Sequence, residues 1–205
     1  RPDIAFAVGM LSRALAKPTE ELYQDALRVL LYLHRHREMG LRYQTSTAPL
    51  SGMVDSDWAV RHSTSGWVFS FCRAAISWGS KKQKSVALSS CEAEIMAASE
   101  AAKEAVYLRR FLSELGLHEP DEPLRLSCDN QAAVDTAYNP ENHDKMKHVE
   151  RRHLFIREKV QDGQLLVPYV RTHENMADFF TKVVSPAQFV HMRDTMAFAS
   201  LSSRR

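Results

Sequence analysis

The sequence predicts an α/β protein: a mixed five-stranded sheet, three strands antiparallel and two added in parallel, flanked by helices and preceded by a helical hairpin. Three observations carry this. The short β-rich stretches "SGMVDSDW", "SGWVFSFC" and "AAISWGSK" follow one another through connections too short for helical crossovers, which is the pattern of an antiparallel meander. An alanine-rich helix from about residue 90 to 115 comes next. Beyond it the strand "LRLSCD", a helical stretch, the strand "LLVPYV" and a last helical region alternate, and that order implies right-handed crossovers with parallel pairing.

The hairpin at the start consists of a short helix near residues 4 to 14 and a longer one from Pro18 to about Gly40. In the second, Leu22, Ala26, Val29, Leu30 and Leu33 fall on one stripe and Thr19 stands as N-cap. Glu20 and Glu21 suit the positive end of the helix dipole, Arg35 and Arg37 its negative end. This reads as a packing appendage rather than an active site. The expected organisation is a helical connection segment over 1–48, the sheet domain over 49–183, and a C-terminal helix with a frayed tail, "ASLSSRR", over 184–205.

Composition narrows the class. The 205 residues, 44% hydrophobic and 25% charged, suffice for one core with a small appendage. No apolar run approaches the roughly 18 residues that a membrane span needs. The start, "RPDIAFAV", has no initiator methionine and no signal-peptide order, so the chain reads as internal to something longer. Cys72, Cys91 and Cys128 form no CxxC pair, which points to a reducing, intracellular setting without a zinc site. A net charge of +2 is too small to attract a polyanion by itself, so nucleic-acid contact has to come from local clusters.

The long helix opens with "SSCEAEIMAASEA", two glutamates two residues apart. Ser89 and Glu92 fit a capping box, in which the glutamate reaches back to the N-cap amide. Glu94 instead falls in line with Ala98, Ala101, Ala105, Leu108 and Leu112, the seam that must face the sheet. A carboxylate there is costly unless paired or bound to a cation, although a position near the helix end also allows it to reach solvent. Three more acids share its setting. Asp55 and Asp57 alternate on one face of a strand expected to be central. Asp129 stands at the carboxyl end of an apolar strand, where open α/β sheets hold ligands, or serves as N-cap of the next helix. Asp178, in "ENMADFFTK", follows the last strand on the apolar side of a short helix. Gathered together, such carboxylates tolerate their repulsion only with divalent cations, and an all-oxygen set favours magnesium or manganese.

The blocks "VDSDWA", "STSGWVF", "ISWGSKKQKSVALSSCEAEIMA", "CDNQAA", "KHVERRHLFIREKV" and "ADFFTK" resemble, in order and spacing, the ribonuclease H domain of copia-type long-terminal-repeat retrotransposon polyproteins. The resemblance runs from about residue 1 to 182, and residues 1–48 are similar to the stretch joining that domain to the polymerase. No "YxDD" polymerase box is present. The resemblance implies a ribonuclease H-like fold with Asp55, Glu94, Asp129 and Asp178 as catalytic and metal-holding acids and two magnesium ions, replaceable by manganese. It implies hydrolysis of the RNA strand of an RNA–DNA hybrid, the polymerase region of the same polyprotein as partner, no membrane, and a cytoplasmic particle of the element as location. Asp57 and His173 stand as candidates to support the metal-holding acids from beside them. For substrate grip, Lys81, Lys82, Lys84, Asn130, Gln131, Lys147 and Arg151 are the candidates, in basic or polar runs beside the motifs. A catalytically degenerate or domesticated module that binds hybrid or RNA is the alternative from another class; another nuclease or integrase of the same fold is a third.

Overall fold

The computed structural model describes residues 1–59, 62–139 and 150–200, with the backbone alone of Glu150, Arg151 and His153. After a single 3-10 turn at Pro2–Ile4, helices α1 (Ala5–Ser12) and α2 (Glu20–Arg35) form the N-terminal hairpin. Thr19 caps α2, its hydroxyl accepting from the Leu22 N–H. Leu22, Ala26, Val29 and Leu33 are half-buried. Leu30, expected on the same stripe, is 60% exposed, because one residue beyond Val29 it is turned about 100° off that face.

Strands β2 (Ser51–Asp57), β3 (Thr64–Phe71) and β4 (Ala74–Lys82) make the antiparallel meander. Cys72 and Arg73, both with positive φ, close β3 to β4 in a two-residue turn, the left-handed backbone region giving a turn that matches the right-handed twist of the flanking strands. Helix α3 (Ser90–Glu114) crosses one face, and β5 (Leu124–Cys128) then adds parallel to β2. Helices α4 (Gln131–Tyr138) and α5 (Glu150–Gln161) lead to β6 (Leu165–Leu166), parallel to β5. The five strands lie in the order β4-β3-β2-β5-β6. The predicted strand "LLVPYV" shrinks to Leu165–Leu166 as β6, because Pro168 has no N–H to give the ladder; a lone bridge from Cys128 to Tyr169 continues the pairing beyond it.

Each face of the sheet has its own core. On one, Val54, Trp67 and Phe69 meet the alanine seam of α3; on the other, Val68 and Ala75 meet Phe179, Phe180, Met192 and Met196 of the C-terminal segment. The period of two along β3 sorts Trp67 and Phe69 to one side and Val68 to the other. The chain finishes with α6 (Pro186–Thr195), begun by a capping box of Ser185 and Gln188, and β7 (Phe198–Ser200). β7 pairs antiparallel with β1 (Met39–Leu41), so the first residues of the tail expected to fray are taken up in a second, two-stranded sheet. That pairing joins the hairpin to the C-terminal segment.

Candidate metal centre

The four acids arrive from four different elements. β2 presents Asp55 near its carboxyl end, and β5 ends at Cys128, opposite Val54, so that Asp129 comes level with Asp55. α3 supplies Glu94 one turn after its start, and Glu94 Oε1 accepts from the Ser56 N–H at 3.1 Å. Asp178 sits on a 3-10 turn, Met176–Phe180, that lies against β2 and β3. Two residues seat this turn. Buried Asn175 donates to the Val54 carbonyl at 2.9 Å and accepts from Ala177 N–H at 3.1 Å. Gly66 on β3 leaves the space, since a Cβ there would stand 2.6 Å from Thr181 Cγ2 and 2.9 Å from Phe180 Cβ.

The result is a convergence of carboxylates. Oxygens of Asp55, Asp129 and Asp178 lie within 4.8 Å of one another, and so do those of Glu94 and Asp129 with Cys128 Sγ, so Asp129 belongs to both groups. Asp55, Glu94 and Asp178 are buried. The alternative readings of two acids fail on this geometry. Asn130, not Asp129, caps α4, accepting from Ala133 N–H at 3.0 Å. Glu94 faces the sheet and not solvent.

Electrostatics state the cost of this arrangement. Burial, with the charges of Asp55 and Asp129 added, pushes Glu94 up to about 8 against the opposing Ser56 N–H. Burial likewise raises Asp55 to about 7, helped by Asp178 and opposed by the Thr181 hydroxyl, which donates to Asp55 Oδ2. Asp178 is raised by burial, with Lys182 pulling the other way. Lys182 Nζ stands 2.7 Å from Asp178 Oδ1 as an ion pair, and that buried oxygen accepts from no other group. Hard oxygen donors, buried, mutually repelling and under-bonded, fit a divalent cation.

Around the acids, the other candidates fall out unevenly. Asp57 is half-buried beside Arg13 and Lys182, its Oδ1 without a hydrogen bond. His173 points outward, 72% of its side chain exposed, with Glu174 Oε1 3.7 Å from its Nε2. Lys81, Lys82 and Lys84 line a cavity of about 260 Å³ with Ser65, Gln83 and Arg152. Lys81 Nζ lies 5.0 Å from the Trp67 ring centre. Buried Gln83 donates to Ser65 Oγ and the Ala93 carbonyl while its own oxygen is unbonded. Gln131 is exposed and donates to Asp135 at 2.7 Å. Lys147 and the Arg151 side chain lie outside the described residues.

Glu92 caps as expected with one correction. Ser89 Oγ accepts from Glu92 N–H at 3.1 Å, but Glu92 Oε2 accepts from Leu88 N–H at 2.6 Å rather than from the N-cap amide, because the side chain reaches past the cap along the helix axis. Sequence reasoning missed Lys182, Thr181, Asn175 and Gln83. Asn175 had a signal, an N-cap residue directly ahead of "MADFF". Lys182 stands one helical turn after Asp178, the spacing of an ion pair.

No family model matches the chain. Relatives do. The chain is 44% identical over 193 residues to the retrovirus-related Pol polyprotein from transposon TNT 1-94 of Nicotiana tabacum, and 38% identical over 194 residues to that from transposon RE1 of Arabidopsis thaliana. Each match takes in 92% of this chain. It belongs to the Pol polyproteins of copia-type retrotransposons. The chain spans 14% and 13% of the length of those two polyproteins. It is also 48% identical over 113 residues to the secreted RxLR effector protein 161 of Plasmopara viticola, covering 53% of this chain and 80% of that protein.

Among solved structures, the ribonuclease H1 named LC11, isolated from compost, superposes with a TM-score of 0.51 at 14% identity, over 65% of this chain and 92% of that one. The foamy viral protease-reverse transcriptase in complex with RNA/DNA hybrid gives 0.50 at 12% identity, over 83% of this chain and 21% of that one. The fold is therefore ribonuclease H-like, and the copia-type Pol chain carries its acids at the carboxyl end of the central strand pair. Among the described residues no helix is long and apolar enough to cross a membrane.

Proposed function

We propose that this chain is a metal-dependent endonuclease that hydrolyses the RNA strand of RNA–DNA hybrids during reverse transcription of its element. The observation that carries the reading is the meeting of buried Asp55, Glu94 and Asp178 around half-buried Asp129, which the two groups of acids share. Asp55, Asp129 and Asp178 would hold one divalent ion and Glu94 with Asp129 a second, magnesium by the donor set, with manganese able to replace it. Ions bound there supply an activated water and charge stabilisation at the scissile phosphate.

The chain's own residues prepare that chemistry. Thr181 orients Asp55, the Ser56 amide orients Glu94, and Lys182 holds Asp178 while offsetting its charge. Because Asp55 and Glu94 retain protons near neutrality, loading the centre releases them, and affinity rises with pH. Lys81, Lys82 and Lys84, with Arg152, would hold backbone phosphates; Asn130, Gln131, Lys147 and Arg151 complete the proposed grip. The polymerase region is the proposed partner, seated on the α1–α2 face where Leu27, Leu30 and Leu31 remain exposed. Location is the cytoplasmic particle of the element.

Incubation with a labelled hybrid tests the reading. RNA should be cut with magnesium or manganese, poorly with calcium, and duplex DNA left intact; robust cutting in excess chelator overturns it. The alternative from another class is a catalytically degenerate or domesticated module that binds hybrid or RNA without cutting. Tight hybrid binding with no cleavage in any divalent ion is its signature.

A further inference from the structure

Trp58 follows the strand that carries Asp55 and Asp57, yet none of the chemistry above uses it. It follows Asp57 directly at the end of β2, and 57% of it is exposed. The chain's other two tryptophans differ: Trp67 is buried and Trp78 half-buried. The ring of Trp58 is not loose. Its Nε1 donates to the Ala87 carbonyl at 3.2 Å, which ties the indole to the loop between β4 and α3. On either side of Ala87, Val86 and Leu88 are 49% and 74% exposed. The same loop carries Lys84 and leads into the helix of Glu94. An apolar, oriented, solvent-facing strip thus links the acid strand to the lysine-lined cavity, in a region otherwise built from charge.

We infer that Trp58, with Val86 and Leu88, is a contact platform for the RNA–DNA hybrid, the flat indole resting on ribose faces in its shallow minor groove. The inference rests on the ribonuclease reading. Carboxylates beside Trp58 require a phosphate brought in by cations, and the lysine cavity at the far end of the loop requires a second; a duplex spanning both lays its groove over the strip. Groove floors present sugar faces and 2′-hydroxyls, which an aromatic plane contacts without reading sequence. The bland alternative is that Trp58 only pins the loop through its N–H. The two differ in what phenylalanine does, since it keeps a ring and loses the donor.

The test is binding of a fluorescein-labelled hybrid with calcium in place of magnesium. Trp58→Ala should weaken binding about tenfold with the salt slope unchanged, and Trp58→Phe should recover most of the loss. Hybrid should quench tryptophan emission in the wild type and hardly at all in Trp58→Phe, where Trp67 and Trp78 report an intact fold. Affinity within about twofold of wild type in Trp58→Ala overturns the platform. A Phe variant as weak as the Ala variant also overturns it, in favour of loop pinning. Wild-type protein that fails to bind hybrid at all overturns the ribonuclease reading itself, a result distinct from either.

Discussion

Helices α3 and α2 begin alike and end differently. Each is capped by a hydroxyl residue that accepts the N3 amide, and each carries an apolar stripe and acids in its first turn. Yet α3 buries thirteen residues, Glu92 and Glu94 among them, whereas α2 buries none. The difference lies in what each stripe meets. The small side chains of Ala98, Ala101 and Ala105 let α3 approach the sheet closely, with Trp67 and Phe69 filling the space between. α2 rests on α1 and on the C-terminal segment, and a cavity of about 470 Å³ lies between them, lined by Phe6, Leu11, Leu22, Val29 and Phe189. Amphipathic pattern therefore marks a face that needs cover, and does not say whether this chain supplies it.

The largest effect should come from the charge that only the well-buried helix carries. Glu94→Gln should lower hybrid cleavage by about a thousandfold, because it removes a metal-holding oxygen from the centre. In chelator the same variant should melt no lower than wild type, since it also removes a carboxylate that burial and Asp55 disfavour. Full activity in Glu94→Gln would mean that α3 is a packing helix and nothing more.

Packing itself gives the next contrast. Leu108→Ala on α3 should cost roughly 2–5 kcal/mol in urea unfolding, the range for a buried leucine that leaves a cavity. Leu30→Ala on α2 should cost less than about 0.5 kcal/mol, as at an exposed site. Equal costs would show that α2 is covered in solution, by a second copy or by another surface of this chain.

Those two residues also show what the sequence made legible. Periodicity placed Leu108 and Glu94 on one seam because α3 is long, and a wrong phase would have turned five alanines and leucines toward water. Over α2 the same rule put Leu30 on the stripe, where the structure exposes it. Asp55, Asp129 and Asp178 were readable as acids in apolar settings, and the meander with two parallel additions was readable from connection lengths. The β1–β7 pairing was not, since Met39 and Ser200 are partners 161 residues apart and three-residue strands carry no alternation to detect. The ion pair of Lys182 had only its i, i+4 spacing from Asp178 to mark it, and that spacing does not show that the turn carries the lysine toward Asp55 as well.

Acidity should separate the two regions more gently. Glu94 and Asp55 have folded values raised above their ordinary range, so between about pH 5 and 8 the folded state holds protons that the unfolded chain has released. Stability in chelator should then fall as pH rises through this window, by at most about 1.4 kcal/mol per pH unit for one titrating group. Magnesium should flatten the decline, and so should Glu94→Gln. Melting temperatures across the window, with and without the ion, check the sign. A metal-free protein that grows steadily more stable from pH 5 to 8 would mean that the cluster is not protonated.

The smallest effect belongs to the neighbouring glutamate on the same helix turn. Glu92 is buried too, but its oxygen meets the Leu88 amide at 2.6 Å and not another carboxylate, so its task is to close the start of α3. Glutamine retains an acceptor of the same reach, and Glu92→Gln should keep cleavage within about twofold of wild type and cost under about 1 kcal/mol. Glu92→Ala removes the acceptor and leaves the Leu88 N–H unanswered, which raises the cost to about 1–2 kcal/mol without a specific loss of metal affinity. Magnesium titrations followed by melting temperature distinguish the helix start from the metal centre. Parallel shifts in wild type and both Glu92 variants keep Glu92 on the structural side. A Glu92→Gln protein that folds like wild type but no longer gains stability from magnesium would move it into the centre, and the division between these two adjacent glutamates would have to be redrawn.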